Sequence, residues 1–597
     1  MTPLYHISHL ALRFSTAVGK YRAIMQLVFG GLAFALGLWG FSEKTPVLGS
    51  AHPWSAFANN FFNTLQLITL HFPTTFDGAV PWKLQIARLL LPLVAVFATF
   101  HILVGGVTRP LRLALLPRAR GHVVLIGDQQ VSDQALKALV EQRRQVAAVA
   151  TAFDNARRET LEGLGLTVVE AEPKQATTFA TLNPGMAKGI FVATADDLDN
   201  INIAMLALRA IDACPHDHPP VTLAVRIDRE DLANELDAAL DGLNGRRRMR
   251  YHRLCPDRDG LRIELARFAP VFTKADRDAA SHALVVGLQG RWEQALAQIV
   301  IALQDHPAKR PVITLSLRDD EKAAFERWRA AHPDFGLVVD FNVLSAGPHG
   351  LPDDAAAAAT VATHGAPHLA VVMLDGADAI SAALALRRPS MALGVATSPI
   401  LVRQTREDHL LAALAETSVK GRDHSRIVPF SGPIRAESVA RVLDRRGDEQ
   451  AIALHAAYLD NAAHVAPGSP ASIAAWDELP ENLREANRAS ADHMAILFAS
   501  EGVALSDRDA MARAVAGSVT LDRLARVEHR RWMADRIERG WRHGATRDND
   551  RLIHPSICDF DALSEADKEK DRNAVRKLAE IAHGISGQLG STSALRP

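Results

Sequence analysis

The sequence has few cysteines and lacks the motifs of the common enzyme and metal-site classes. Its three cysteines, Cys214, Cys255 and Cys558, lie far apart in 597 residues and form no C-x-x-C pair, so neither a disulfide framework nor a zinc knuckle is indicated. No G-x-S-x-G, H-E-x-x-H or G-x-x-x-x-G-K-[ST] motif occurs. His216 and His218 have no third ligand near them in the sequence. We therefore expect neither an enzyme nor a metal site.

An excess of one charge is also absent. The chain has 67 Lys and Arg residues against 68 Asp and Glu residues, whereas a protein that binds nucleic acid needs a basic stripe. No nucleic-acid partner is therefore expected. The length predicts three or four domains, and the apolar excess falls in roughly the first 110 residues.

Two long apolar runs occupy that N-terminal part, at residues 23–41 and 86–107. Nineteen helical residues cover about 28 Å, close to the hydrocarbon thickness of a bilayer. The first run begins too late and is too long for a signal peptide. Basic residues precede the first run and follow the second, which places both termini in the cytoplasm and residues 42–85 outside. We expect a multi-pass protein of the inner (cytoplasmic) membrane, with the lipid bilayer as a partner.

Residues 54–70 lie between the two runs and predict an amphipathic helix too short to cross the bilayer. The order of span, short helix, turn and span resembles the pore module of two-span ion channels. That resemblance implies a homotetramer around a central pathway, with Thr64, Gln66, Thr69 and His71 as pore candidates. The T-V-G-Y-G-like filter of potassium channels is missing, so potassium selectivity is not expected. The alternative is an interfacial helix that packs on the spans without forming a pore.

Residues 119–277 alternate apolar strands with helical stretches, which predicts a doubly wound parallel sheet. Gly127 and Asp128 are the candidates for its ligand-binding loop. Gln129 and Ser132 stand where a dinucleotide fingerprint has its second and third glycines, so we expect the fold without secure dinucleotide binding. An NAD-dependent enzyme on a membrane anchor is correspondingly disfavoured. The predicted strands are 121–127, 145–150, 166–171, 189–194 and 221–226.

Residues 194–209, followed by the strand at 221–226, resemble the regulator-of-conductance (RCK, Trk-type) domain. In that family a threonine, two acids, an asparagine and an alanine-rich helix follow the fourth strand, and the next strand ends in arginine. The resemblance implies assembly into a cytoplasmic ring that pulls on the second span.

The same pattern restarts in residues 278–460 and resembles a diverged second copy of this fold. Gly287 and Gly290 are its loop candidates, and Asp319 and Asp320 follow its second strand. Two such domains in each chain imply eight in a tetramer. The predicted strands are 283–290, 311–317, 337–343, 369–374, 391–396 and 426–430.

Residues 461–472 are rich in Pro, Gly, Ser and Ala and predict a linker. The charged helical stretch of residues 472–597 then resembles the RyR domain, the repeat named after ryanodine receptors. The places of its signature are occupied by His529, Trp532, Gly540, Trp541, Gly544, Arg547, Asp548, His554, Pro555, Leu563, Asp571 and Arg572.

The aromatic and basic side chains of this C-terminal unit suit a nucleotide. A base stacks on flat aromatic faces while arginines fork onto phosphate. The alternative is that the two tryptophans are core anchors of a small helical domain and that the arginines form surface pairs. The candidate ligand-binding residues are Trp532, Trp541, Arg531, Arg547, His543 and His554.

Together these patterns predict a multidomain membrane protein with an α-helical transmembrane module at residues 1–118. Two α/β Rossmann-like, RCK-type domains and a mostly α-helical RyR domain follow. The leading hypothesis is a ligand-gated, nucleotide-responsive ion channel in a bacterial signalling or defence pathway. Its main rival is a membrane-anchored nucleotide sensor or scaffold without a pore.

Overall fold

The fold is taken from a computed structural model of the chain. It describes residues 28–47, 50–72, 79–214, 218–241, 249–269, 279–388, 392–395, 398–404, 410–411, 427–430, 432–445, 448–462 and 474–589. Residues 23–27 of the first predicted span, His216 and most of the predicted linker lie outside this part of the chain.

Three helices form the N-terminal module: α1 (Val28–Ser42), α2 (Pro53–Gln66) and α3 (Trp82–Leu115). The second predicted span lies inside α3, whose 34 residues extend for about 51 Å. Among the described residues, one segment is long and apolar enough to cross a membrane, Trp82–Thr99 in α3, whereas α1 falls short of that length.

Small and polar side chains hold these three helices together. Asn60 is fully buried, and its Nδ2 donates to the carbonyl oxygen of Thr45 (3.0 Å) and to Ser42 Oγ (3.3 Å). A Cβ at Gly37 would overlap Thr64 of α2, and one at Gly40 would overlap a side chain of α3. The glycines of α1 therefore allow the other two helices to approach closely.

The first unit after the N-terminal module is a six-stranded parallel sheet in the order β3-β2-β1-β4-β5-β6. Its strands are β1 (Val123–Ile126), β2 (Val146–Ala150), β3 (Thr167–Glu170), β4 (Gly189–Val192), β5 (Val221–Arg226) and β6 (Met249–Leu254). The helices between and after them are α4 (Asp133–Glu141), α5 (Asn155–Leu164), α6 (Ala176–Leu182), α7 (Asp197–Asp212), α8 (Glu230–Asp241) and α9 (Pro256–Arg267). The central strands are buried because helices cover both faces of a parallel sheet. The predicted Rossmann-like fold is confirmed.

The second unit has the same strand order, β9-β8-β7-β10-β11-β12. Its strands are β7 (His282–Val286), β8 (Val312–Leu317), β9 (Asp340–Ser345), β10 (Leu369–Val372), β11 (Ile400–Arg403) and β12 (Ile427–Phe430). Its helices are α10 (Trp292–Ala302), α11 (Asp319–Ala331), α12 (Asp354–His364) and α13 (Gly376–Leu386). The prediction of a second copy of the fold is confirmed.

One predicted strand of this unit, 391–396, is wrong. Of its described residues, 392–393 form a turn and 394–395 are irregular, with a φ of +67° at Gly394, and the strand follows later as β11. Leu393 and Val395 are buried, so the apolar pattern reported burial correctly. It did not predict the backbone conformation, because a short apolar run is compatible both with a buried strand and with another buried conformation.

After β12 the chain crosses back to the first sheet. The backbone N–H of Ile434 donates to the carbonyl oxygen of Gln130 (2.7 Å), and that of Ser132 donates to the carbonyl oxygen of Ile434 (3.0 Å). Helix α14 (Ala436–Asp444) then buries apolar side chains in the core of the first unit. The two Rossmann-like units are therefore interlocked.

The C-terminal unit is mostly helical, as predicted. It contains α16 (Glu481–Ala499), α17 (Arg508–Ala516), α18 (Ser518–Glu538) and α19 (Glu565–Leu589), and α15 (Glu449–Ala462) leads into it. Two short parallel strands, β13 (Arg542–His543) and β14 (Ile553–His554), separate α18 from α19. Met533, Ala534 and Ile537 of α18 share one hydrophobic core with α10, so this unit is packed firmly on the second sheet domain.

Candidate functional site

The glycine loop of the first sheet domain serves close packing. Gly127 has a φ of +87°, and a Cβ there would overlap the carbonyl oxygen of Ala193. The carboxylate of Asp128 in this loop is already ion-paired, because Arg157 Nε donates to its Oδ2 (2.7 Å). Arg157 Nη1 also donates to Asp133 Oδ1 (2.9 Å). Together with the strand-like pairing of the following backbone to Ile434, these contacts fill the place where a dinucleotide pyrophosphate approaches a Rossmann loop.

The loop of the second domain is filled in the same manner. The backbone N–H of Leu288 donates to Glu321 Oε1 (3.0 Å), so a carboxylate of the chain takes the donor that a phosphate would use. A Cβ at Gly290 would overlap the guanidinium of Arg403. Gly287, with a φ of +74°, lies against Glu321 as well. In the described loops, these glycines serve packing and leave no open phosphate cradle.

The four pore candidates divide into two groups. Thr64 is fully buried, and its Oγ1 donates to the carbonyl oxygen of Asn60 (2.7 Å) inside the three-helix module. Gln66 is half-buried at the end of α2, while Thr69 and His71 are exposed just beyond it. Thr64 is therefore a packing residue, and the other three lie on the surface of the module.

In the C-terminal unit, the segment between α18 and α19 brings aromatic side chains onto α18. Gly540 turns the chain with a φ of +81°, the backbone N–H of Trp541 donates to the carbonyl oxygen of Arg536 (3.0 Å), and His543 pairs in register with His554. This geometry returns Trp541 and His554 to the same side of α18.

Trp532, Trp541 and His554 form an aromatic cluster there. The ring of His554 lies 5.0 Å from that of Trp532 and 6.0 Å from that of Trp541, edge to face in both cases. Both tryptophans are half-buried against the shared core, so they are core anchors on one side and exposed on the other. Three of the six candidate ligand-binding residues therefore lie together around the ring of His554.

Arg536 completes the cluster, and the sequence prediction did not include it. Its guanidinium carbon lies 5.7 Å from the ring centres of both Trp532 and Trp541, a cation–π arrangement. Within the described part of the chain its guanidinium makes no hydrogen bond or ion pair, because the neighbouring Asp535 binds Arg539 (3.0 Å). Arg536 is thus a positive charge held between two indoles without an acidic partner.

The electrostatics of the cluster favour a bound anion. Burial, with the charges of Arg539, Arg531 and Arg547, lowers the pKa of Arg536 to about 10, against the opposing effect of Asp535. The guanidinium is still charged at pH 7, and an anion beside it would raise its pKa again.

His554 lies in the same field. Burial first, and then the charges of Arg547 and Arg536, lowers the pKa of His554 to about 4. Its ring is therefore neutral at pH 7, and because Nδ1 accepts from the backbone N–H of Ser556 (3.1 Å), Nε2 is the donor. Arg547 itself is exposed and donates to Asn549 Oδ1 (2.9 Å).

Arg531 is the candidate that the structure excludes. Its side chain is 4% exposed and forms a two-point ion pair with Glu528 at 2.9 and 2.8 Å. The pair lies on the buried side of α18, so Arg531 holds the fold together. His543 is exposed in β13 beside His554. His529 is also structural, because its two ring nitrogens contact the Cys558 carbonyl oxygen (2.9 Å) and Asp571 (3.0 Å).

Helical spacing offered a signal for Arg536. Arg531 has Glu528 three residues before it and Arg539 has Asp535 four residues before it, and both pairs form. Arg536 has Trp532 at the fourth position and no acid three or four residues away. Because side chains at these spacings are neighbours on a helix, the sequence already distinguishes Arg536 from the paired arginines.

Comparison with known proteins agrees with the assignment of a distinct C-terminal domain. Residues 516–586 match the family model of the RyR domain, which confirms the predicted C-terminal domain. No curated protein matches the chain at a significant level.

Solved structures of GsuK resemble the chain. The structure of GsuK bound to ADP shares 16% identity at a TM-score of 0.32 and covers 72% of this chain and 99% of that chain. The GsuK RCK domain shares 14% identity at a TM-score of 0.33, covering 55% and 77%. The GsuK channel bound to NAD shares 14% at 0.31, covering 72% and 84%. The fold is defined by the strand order of the two sheets.

Proposed function

We propose that the chain is a nucleotide-gated ion channel of the membrane, in which the RyR domain is the sensor. The observation that carries the proposal is the cluster of Trp532, Trp541 and His554 around the unpaired Arg536. Both indoles are half-buried, a base can stack on the accessible part of an indole face, and base–aromatic stacking contributes about 1–3 kcal/mol. Arg536 and the nearby Arg547 supply charge for phosphate. The C-terminal unit is thus a sensor rather than an enzyme.

A route from the sensor to α3 is supported by contacts along the chain. Helix α18 shares a core with the second sheet domain. Helix α16 joins the C-terminal unit to the first sheet domain through buried ion pairs, among them Arg262 with Glu485 at 3.0 Å. At the other end of that domain, Arg112 of α3 donates from Nη1 to the carbonyl oxygen of Gly165 (3.1 Å). A ligand can shift this chain of packed elements only if it binds the open arrangement more tightly than the closed one.

The surface of the N-terminal module supports the membrane part of the proposal. Leu89, Leu93 and Val96 follow one face of α3 and are 64–70% exposed, which is unfavourable in water. Trp39 and Trp82 are also exposed, near the end of α1 and at the start of α3. Tryptophan favours the boundary between lipid and water, so this end of the module suits the outer interface of a bilayer.

The pore and the assembly are the remaining parts of the proposal. Gln66, Thr69 and His71 are polar residues on the surface at the end of α2, and in a homotetramer they would face the neighbouring copies. A membrane-anchored sensor without a pore is the second candidate. It is favoured by the burial of Thr64 within the packing of a single chain.

The sensor assignment is tested by mass spectrometry of small molecules that copurify with the full chain. Arg536→Gln and Trp541→Ala should each copurify with less of the nucleotide that the unmodified protein retains. For Arg536→Gln, which removes the charge, the amount should fall by roughly tenfold or more. Arg508→Gln removes the same charge from an exposed position on α17, and this variant should retain the nucleotide. Equal nucleotide content in Arg536→Gln and Arg508→Gln would refute this site.

The channel assignment needs a separate measurement. The purified chain in proteoliposomes should pass ions when the copurifying nucleotide is added, and the Arg536→Gln variant should not respond. A chain that binds the nucleotide in proteoliposomes but passes no ion under any condition would support the anchored sensor instead.

A further inference from the structure

Four basic side chains converge at one edge of the first sheet, away from the aromatic cluster. Arg144 precedes β2, Lys188 directly precedes β4, Arg250 lies near the start of β6, and Arg445 directly follows α14. The strands are parallel members of one sheet, in which β1 lies between β2 and β4 and β5 lies between β4 and β6, so their starting ends lie along the same edge. We refer to these four side chains as the basic edge cluster.

The positions are fixed by backbone and packing. The backbone N–H of Lys188 donates to the carbonyl oxygen of His122 (2.7 Å), and its own carbonyl oxygen accepts from Thr222 (3.2 Å). Leu443 of α14 fills the space that a Cβ at Gly189 would occupy. That contact places the end of α14, and with it Arg445, beside Lys188.

Acidic side chains neutralise only part of the cluster. Asp444 binds Arg144 (2.6 Å), while Asp477 binds Arg445 and lies 3.8 Å from Arg250 Nε. Four positive charges therefore share two carboxylates. This imbalance is local, because the chain as a whole has a formal net charge of −1.

Lys188 is the member without an acidic partner. Its side chain is half-buried, and in the described residues its ammonium makes no hydrogen bond or ion pair. Burial lowers the pKa of Lys188, and the charges of Arg144, Arg250 and Arg445 lower it further, against the attraction of Asp444. A bound anion would relieve this repulsion.

The cluster lies on the side of the sheet from which α3 arrives. The chain leaves α3 through a short turn, Leu116–Arg118, and enters β1 at this same edge. The contact of Arg112 with Gly165 fixes α3 there. If α3 crosses the bilayer, the basic edge cluster faces the headgroups of the leaflet that α3 leaves.

We propose that the basic edge cluster is a binding site for a phosphate-bearing anion, with Lys188 as its contact residue. Ammonium and guanidinium groups in a half-buried setting suit phosphate oxygens. Two sources share this chemistry, the headgroup of an anionic phospholipid and a soluble polyphosphate. The site is separate from the RyR domain and does not depend on the nucleotide proposed there.

The test uses the full chain with Lys188→Gln and the matched control Lys137→Gln. Lys137 is exposed on α4 of the same domain, so both variants lose one positive charge. One arm measures binding of inorganic pyrophosphate to detergent-solubilised protein by titration calorimetry at low and high salt. The other arm counts phosphatidylglycerol molecules retained in native mass spectrometry after extraction from nanodiscs of mixed phosphatidylcholine and phosphatidylglycerol.

Lys188→Gln should weaken one or both interactions about tenfold, while Lys137→Gln should leave them unchanged. Loss confined to phosphatidylglycerol identifies a lipid headgroup, and loss confined to pyrophosphate identifies a soluble anion. The ligand-free Lys188→Gln protein should be at least as stable as the unmodified protein, since a repelled charge is removed; a folding defect would therefore not imitate the loss. Equal binding by the two variants in both arms would overturn the proposal.

Discussion

Arg488 lies at the centre of a buried ionic network that joins three parts of the chain. It is 3% exposed, and it binds Asp448 before α15 (3.0 Å) together with Glu481 (3.0 Å) and Glu485 on its own helix, α16. Glu485 in turn binds Arg262 of α9 (3.0 Å) in the first sheet domain. The network therefore connects the first sheet domain, the segment that returns from the second one, and the helix that leads into the RyR domain.

We expect Arg488→Met to destabilise this junction by about 3–5 kcal/mol, because removing one partner leaves buried charges uncompensated. Methionine keeps most of the volume and removes the charge. The attraction lost is large because burial reduces solvent screening of the three acids. The free energy of unfolding would be measured by urea denaturation of the full chain in detergent, followed by tryptophan fluorescence.

Two comparisons make that result interpretable. Arg508→Met changes an exposed position of α17 and should lie within about 0.5 kcal/mol of the unmodified protein. The double variant Arg488→Met with Glu481→Gln should be less destabilised than the sum of the two single variants, because it removes a charge of each sign. An Arg488→Met protein as stable as Arg508→Met would refute the assignment of a buried network.

Two further outcomes follow from burial and backbone geometry. Burial, followed by the charge of Arg531, lowers the pKa of His493 to about 3, and burial lowers that of His282 to about 4. An unfolded histidine takes up its proton near pH 6.5, so the unfolded state gains protons first as the pH falls. Each histidine should then cost about 1.4 kcal/mol of stability between pH 8 and pH 5.5. Urea denaturation at both pH values measures this, and a flat profile in the range would contradict it. Gly127→Ala should destabilise the first sheet domain by about 2 kcal/mol or more, because the residue has a φ of +87° and a Cβ would overlap Ala193. Thermal unfolding of this variant measures the effect. The control is Gly163→Ala, where a Cβ meets nothing.

The sheets were well predicted because buried parallel strands consist of short runs of apolar residues. Strand β5, Val221–Arg226, was predicted at its observed bounds. The pattern failed where burial and strand conformation diverge, as at Leu393 and Val395. It also could not reveal that Ile434 pairs with the loop after β1, because that contact joins segments some three hundred residues apart and has no local signature.

The candidate ligand site was predicted only in part. Trp532, Trp541 and His554 were recognisable because they occupy places of the RyR signature and because aromatic faces suit a nucleotide base. Arg531 was indistinguishable from a ligand-binding arginine by residue type, and only its pairing with Glu528 excludes it. The decisive property of an arginine in such a helix is therefore whether an acid lies three or four residues away.

Three arginines of α18, Arg523, Arg530 and Arg536, lack an acid at those spacings, and Arg523 pairs instead with Glu501 after α16. Arg530, like Arg536, has no acid at those spacings, and it donates instead to the carbonyl oxygen of Lys309 (2.6 Å) in the second sheet domain. Six residues separate it from Arg536 in the ligand cluster, which is less than two helical turns. A ligand that moves Arg536 thus acts on the same rigid helix that is anchored to the second domain at Lys309. If Arg536 binds a ligand as proposed, a change in the tilt of α18 would alter that anchor, in addition to the core that α18 shares with the second sheet domain.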